Sequence, residues 1–336
     1  MSDVTAPTRT HRPTPSPPSR PRVSSTAVLA GLLVLVLVAQ PLLSRRFSSA
    51  ALQTWATVFV AVCVQALPFL VLGVVVSGAI SAFVPPAFFA RALPKNRYAA
   101  VPVAGAAGAL LPGCECASVP VAGGLMARGV APSAALAFLL SSPAINPVVV
   151  VATAVAFPGR PEMVGGRFLA SLAAAVLVGW IWARVGREEW MSRPRRPDTA
   201  GMSRVEAFRT TTVHDFLQAG GFLVLGGLTA ATLNVFVPRQ ILNTVAHHRW
   251  LEIGALSLLA VLLCVCSEAD AFVAASLSQF SLTARLAFLV VGPMVDVKLI
   301  SLQGGTFGWK FAARFAPLTF VVAVACAVLV GEWLLS

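Results

Sequence analysis

FLVLGVVVSGAISAFVP runs from Phe69 to Pro85, and FLVLGGLTAATLNVFVP runs from Phe222 to Pro238. Each stretch, drawn as a helix, is apolar on every side, with no charged residue. A helix that is hydrophobic all round is buried in a large core or in a bilayer. The two stretches also open and close on the same residues. The chain therefore reads as a duplicated, all-α, polytopic membrane protein.

Further matches follow in the same order. Cys114-x-Cys116 recurs as Cys264-x-Cys266, and Leu136-Ala137-Phe138-Leu139 as Leu286-Ala287-Phe288-Leu289. Pro143 and Asn146 recur as Pro293 and Asp296, and Arg167-Phe168 as Arg314-Phe315. The offsets stay between 147 and 153 residues. A single apolar match means little in so biased a sequence, whereas an ordered series at near-constant offset indicates an internal repeat. Such repeats are common in secondary transporters, whose binding sites lie where the repeats meet.

Composition agrees. Of 336 residues, 57% are hydrophobic and 11% charged, with mean hydropathy +0.82. Soluble domains carry about 25% charged residues, so much of this surface faces a lipid bilayer. The net charge of +12 does not indicate nucleic acid, because the basic residues lie between apolar runs rather than in a basic domain. A multi-pass protein of the cell inner (cytoplasmic) membrane is expected.

Residues 1–25, rich in Pro, Ser, Thr and Arg, read as a disordered basic cytoplasmic tail, and 26–43 as an uncleaved N-terminal anchor helix. A first permease repeat spans 54–185, a basic linker 186–213, and a second repeat 214–336. Apolar blocks lie at 54–84, 99–127, 133–157, 165–184, 214–237, 250–280, 283–305 and 313–335. One crossing needs roughly 20 residues. The blocks at 99–127 and 250–280 are longer and are interrupted by their Cys pairs. If those blocks re-enter as hairpins, the repeats are inverted and the linker lies inside. Lys and Arg then divide 17 inside to 7 outside, with Lys298 left out as intramembrane, against 13 to 11 if both blocks cross. The positive-inside rule selects the inverted arrangement. The expectation is 7–9 crossings, with two re-entrant tips meeting near the midplane, where non-helical backbone is tolerated if it lines a protein cavity.

The chemistry gathers at these interruptions. LPGCECASVPVAGGLMARG carries Cys114, Glu115 and Cys116, with Pro112, Gly113 and Pro120 expected to break the helix. CVCSEADAF carries Cys264, Cys266, Glu268 and Asp270, and GPMVDVKLIS carries Asp296. A carboxylate at the bilayer centre costs at least about 2.5 kcal/mol, and such residues commonly mark ion or substrate paths. The bland alternative is structural pairing, as between Asp296 and Lys298. Thiolates suit soft or borderline species such as Zn²⁺, Cu⁺ or trivalent arsenic. Cys114, Cys116, Cys264 and Cys266 are therefore the candidate metal contacts, with Glu115, Glu268, Asp270 and Asp296 as further substrate-binding groups. In SSPAINPVVV, Pro143 and Pro147 should kink or unwind a helix and expose Asn146 to the path, as Pro293 should do for Asp296. Direct contact and a satisfied packing role are equally open for Asn146. Cys63 and Cys326 read as small hydrophobes, and His214, His247 and His248 as interfacial residues at segment ends. No Gly-rich phosphate loop, haem signature or hydrolase arrangement is present in the sequence, so no enzyme activity and no cofactor are expected.

At these motifs the chain resembles a bacterial predicted-permease family whose characterised relatives include efflux permeases for trivalent organoarsenicals. The resemblance covers nearly all of 54–335. It is carried by Cys114-Glu115-Cys116, Ser142-Pro143-Ala144-Ile145-Asn146-Pro147, Cys266-Ser267-Glu268-Ala269-Asp270-Ala271-Phe272 and Gly292-Pro293-Met294-Val295-Asp296. It is closest to a branch encoded beside a small second membrane subunit and tied to metal handling. The resemblance implies permease function, with the four motif cysteines as thiol contacts. The leading expectation is a permease for a thiophilic metal or metalloid species. The alternative is a non-transporting membrane subunit that binds metal or a partner within a permease complex. A membrane thiol oxidoreductase ranks last, for want of a C-x-x-C in a βαβ context. A small membrane subunit and a second copy of the chain are the candidate protein partners.

Overall fold

Long apolar runs with few breakers must become helices in a bilayer, because only a helix or a closed barrel satisfies every backbone polar group there. The computed structural model describes residues 50–85, 88, 92–94, 96–110, 115–192, 201–236 and 249–335. The expected tail and anchor, residues 1–43, lie outside the described residues, as does Cys114. No strand occurs among the described residues.

The first helix, α1 (Ala50–Phe83), shows how the membrane is written into the sequence. Phe59, Val62, Ala66, Leu70 and Val74 form a buried stripe at helical spacing. Val60, Val64, Leu67, Val71 and Val75 lie exposed on the other side. The exposed side is as apolar as the buried one, so its solvent is lipid. Four more helical segments among the described residues are long and apolar enough to cross: 132–156, 161–185, 204–233 and 309–334.

The first half continues with α2 (Arg97–Ala107), a short 3₁₀ turn (Gly108–Leu110) and α3 (Glu115–Ala127). Next come α4 (Pro132–Ile145), α5 (Pro147–Ala156) and α6 (Pro161–Val185). The second half runs α7 (Arg204–Phe236), α8 (Arg249–Leu263) and α9 (Asp270–Ser276). It ends with α10 (Leu282–Val291), α11 (Val297–Phe307) and α12 (Trp309–Leu334).

Several boundaries differ from expectation, each for a local reason. Helix α7 starts at Arg204, ten residues before His214, because the end of the basic linker carries helix-forming residues and no proline. His214 therefore sits inside a helix and not at a segment end. His247 and His248 lie outside the described residues. Pro120 does not break α3 but lies within it, near enough to its start that the lost N–H affects only the first turns. The block at 283–305 is two short helices, α10 and α11, separated at Gly292-Pro293, whereas Pro143 stays inside α4 and the first-half break falls at Asn146-Pro147.

The halves interlock. Long helices pair across them, α1 with α7 and α6 with α12. Trp182 of α6 meets Phe311 and Phe315 of α12 edge-on, with ring centroids 5.1 and 5.5 Å apart. Between these pairs the short helices also cross over, α3 packing on α11 and α5 on α9. Two glycines let the long helices approach the short ones closely. A Cβ on Gly73 would lie 2.4 Å from Ala117 Cα on α3, and one on Gly226 would lie 2.8 Å from Lys298 Cα on α11. The matched FLVLG segments thus seat their glycines against the two short helices that carry the central charges.

Candidate functional site

Helix N-termini present unsatisfied N–H groups and partial positive charge, and acidic side chains are favoured there. Glu115 is the first residue of α3, Asp270 the first of α9, and Asp296 the N-cap of α11. Asp296 Oδ1 accepts from the Leu299 amide at 2.5 Å. In the first half Asn146 caps α5 in the same way, accepting from the Val149 amide at 3.0 Å, while its Nδ2 donates to Ser142 O at 3.1 Å. This is a satisfied capping asparagine. Glu115, Asn146, Asp270 and Asp296 are all buried, and Glu268 is half-buried.

The centre is a charged chain that joins the halves. Lys298, in the first turn of α11, donates from Nζ to Glu115 Oε1 at 2.5 Å. Its distance to Asp296 Oδ2 is 3.7 Å. Ser267 donates from Oγ to the other Glu115 oxygen at 3.0 Å. The Ser267 carbonyl accepts from Arg167 Nη2 at 3.0 Å, and Arg167 Nη1 donates to Thr153 Oγ1 at 2.9 Å. Arg167 and Lys298 are exposed by only 2% and 0%. A charge is held away from solvent only when paired or well hydrogen-bonded, and here each cation makes at least one bond to the other half. Asp270 Oδ2 has no hydrogen-bond partner among the described residues, and Asp270 lies within electrostatic reach of Arg167.

The thiols border this chain. Cys264 has φ +54°, unusual for a residue with a Cβ. That turn directs the chain away from the end of α8 and sets the thiol beside the Asp296 carboxylate and the Lys298 backbone amide. Cys116 and Cys264 both lie within electrostatic reach of Lys298. Cys116, Cys264 and Cys266 are buried and free of disulfides. Cys326 is buried among apolar residues and Cys63 faces Gly227. No group of three or more His, Cys, Asp or Glu side chains among the described residues is close enough to hold a metal ion. The Lys298 ammonium stands between two of the carboxylates instead.

Expectation from sequence applied the membrane-charge argument to acids alone. The same argument applies to Arg167 and Lys298, which also fall within apolar blocks. The sequence offers Lys298 as a mate for Asp296, two residues away, yet its shorter bond is to Glu115, 183 residues away. Asp215, on α7, is a further buried acid, with Oδ2 2.9 Å from Ser77 Oγ on α1.

Residues 51–332 match the family described as "Predicted permease". The chain belongs to this permease family. Two curated relatives are similar over nearly their whole length. The Bacillus subtilis "UPF0718 protein YcgR" is 32% identical over 278 residues, covering 81% of this chain and 94% of the relative. The Streptococcus mutans "Putative two-component membrane permease complex subunit" is 30% identical over 282 residues, covering 82% and 94%. No solved structure matches. As a family member with five apolar helical segments long enough to cross among its described residues, the permease is a multi-pass membrane protein.

Proposed function

We propose that this permease carries a thiophilic metal or metalloid species across the cytoplasmic membrane, through a site formed where its two halves meet. The observation that carries the reading is the Glu115–Lys298 pair. It is fully buried, it joins α3 of one half to α11 of the other, and Cys116 and Cys264 stand beside it. Fixed charge at membrane depth marks a transport path more often than a structural device, and sulfur beside it favours soft or borderline cargo. Cys114 and Cys266 complete the candidate thiol set, with Glu268 and Asp270 at its edge. The same arrangement gives no support to an enzyme.

The matched segments and the crossed packing of α3 on α11 and α5 on α9 support two inverted repeats, with alternating access between them. In that topology residue 200 faces the cytoplasm. A cysteine placed there should resist an impermeant maleimide added to whole cells; rapid labelling would refute inversion.

The deciding experiment is metal and arsenical accumulation in cells expressing wild type or Cys114→Ser/Cys264→Ser. A thiol-dependent change in one species supports the reading. Equal content across Zn²⁺, Cu⁺ and trivalent arsenicals, with both proteins in the membrane, counts against it. The name of the Streptococcus relative favours a second reading, in which the chain is one subunit of a complex and does not transport alone. Flux in proteoliposomes containing only this chain would exclude that reading.

A further inference from the structure

Away from the central charges, a buried hydroxyl stands between two acceptors. Ser77 Oγ on α1 lies 2.8 Å from the Pro120 carbonyl oxygen on α3 and 2.9 Å from Asp215 Oδ2 on α7. A hydroxyl has one proton to donate, while a carbonyl and an ionised carboxylate only accept. With Asp215 ionised, one proton must serve both short contacts. With Asp215 protonated, both are ordinary hydrogen bonds: Asp215 donates to Ser77, and Ser77 donates to Pro120. One chain of bonds then ties α7 through α1 to α3. The neutral acid also avoids the cost of burying a charge.

The pair belongs to one half only. At the offset of 153 residues that aligns the FLVLG stretches, Asp215 matches Val62 and Ser77 matches Ala230, both buried. Apolar side chains therefore suffice at these positions, and packing alone does not call for an acid.

We propose that Asp215 is the site at which this permease binds a coupling proton, and that Ser77 relays its occupancy to α3. This rests on the permease reading above and adds the ion that energises it. Loss of the proton to water turns Asp215 Oδ2 into an acceptor that competes with the Pro120 carbonyl for the Ser77 hydroxyl. The tie from α1 to α3 then weakens. Helix α3 carries Glu115 and Cys116 at its start, so proton release is linked to rearrangement at the central site. Alternating access needs such a link between an ion and the moving halves, and buried acids serve as proton carriers in pumps and transporters.

The position suits exchange with water at one membrane face. Asp215 is 9% exposed, against 0% for Glu115, 2% for Asp270 and 1% for Asp296. It lies eleven residues from the start of α7, and α1 ends beside that start, with the Phe83 and Phe208 rings 6.0 Å apart. Ser81, one turn beyond Ser77, and Thr211, one turn before Asp215, extend the polar row toward those ends. Few titratable groups share the surroundings. Of the helices packed on α7, α1 has only Cys63, and α3 has Glu115 and Cys116. Helix α11 has Lys298, bonded to Glu115, and α8 has Arg249, paired with Glu332, and Glu252, which accepts from the Ser281 amide. On α7 itself stand Arg204, Glu206, Arg209 and the adjacent His214.

The test uses the full-length chain. Infrared spectra of the purified protein are first compared for wild type and Asp215→Asn. The asparagine amide still donates to Ser77, so this variant copies the protonated acid. Asp215→Val, which copies the matched residue of the first half, replaces it if it fails to accumulate. The difference spectrum should show the C=O stretch of a protonated carboxyl, which shifts in D₂O and vanishes as pH is raised. Ser77→Ala should move that band, because the acceptor of its proton is gone. Absence of the band at every pH at which the protein is folded overturns the proposal.

Coupling is then read in proteoliposomes with the membrane potential clamped, with Zn²⁺ and phenylarsine oxide as the probes. For one proton per cycle, an imposed gradient of one pH unit should change the accumulation ratio of the carried probe about tenfold in wild type. In Asp215→Asn the ratio should not follow the gradient. A full response in that variant, or a response to a Na⁺ gradient in place of a pH gradient, overturns Asp215 as the proton site. If neither probe is carried, the thiophilic-cargo reading fails, and the infrared band still decides the proton.

Discussion

Asn146 and Asp296 occupy matched positions in the two halves and perform the same backbone task. Each caps a short helix after a proline-containing break, and each accepts from the amide three residues on, at 3.0 and 2.5 Å. Their chemistry then parts. Asn146 is neutral, and its cap and its bond to the Ser142 carbonyl both lie in its own half. Asp296 adds a buried charge, and two residues later Lys298, whose counterpart is Val148, reaches across to Glu115. The arginines diverge likewise. Arg167 is buried and bonded to both halves, while Arg314 is exposed and donates to Lys310 O in its own helix. The two halves thus keep caps and close-packing glycines at matched sequence positions and carry their charge chemistry unevenly. The first half supplies Glu115 and Arg167, and the second supplies Asp296, Lys298 and Ser267, which bonds to both Glu115 and Arg167.

This contrast can be broken in steps. The largest effect is expected from Glu115→Ala, which leaves the Lys298 ammonium buried without its close partner. Removing one member of a buried pair costs about 3–5 kcal/mol, visible as a large fall in unfolding temperature or as failure to accumulate in the membrane. Next, Arg167→Met should cost about 3 kcal/mol by stranding Thr153 and the Ser267 carbonyl near unpaired acids. Arg314→Met, at the matched position, should cost about 0.5–1 kcal/mol, the worth of its stacking at 4.7 Å over Trp190. Equal losses for the two arginines, in the same unfolding assay, would erase the asymmetry argued above.

Gly73→Ala and Gly226→Ala should each cost about 1–3 kcal/mol by forcing α3 or α11 away from its long neighbour. The smallest effect is expected from Asp296→Asn. The cap survives, since Asn and Asp are equivalent N-caps, so stability should change by less than about 1 kcal/mol while transport falls. Asp296→Ala removes cap and charge together and should cost about 1 kcal/mol more. That pair of variants separates the role the two halves share from the one that only the second performs.

Much of this was legible in the sequence because it depends on local physics. The FLVLG stretches had to be membrane helices, since nothing in them could face water. The helix breaks near Asn146 and at Gly292-Pro293 followed from the prolines. Cys116, Cys264, Glu115 and Asp296 were recognisable as a set because each type is out of place in lipid. Lys298 and Arg167 were equally out of place, but their partners lie 183 and 100 residues away. No local pattern announces a pairing at that separation.

By itself, then, the sequence determined the solvent, the helical class, the breaks at Pro147 and Pro293 and the inventory of improbable charges, because each follows from neighbours along the chain. Only the tertiary structure decided which charges meet. It placed Lys298 on Glu115 rather than tightly on Asp296, carried Arg167 to the Ser267 carbonyl, and turned Cys264 toward α11. Those contacts arise from the crossing of α3 with α11 and α5 with α9, and such crossings are fixed by packing of whole helices, to which no single segment holds the answer.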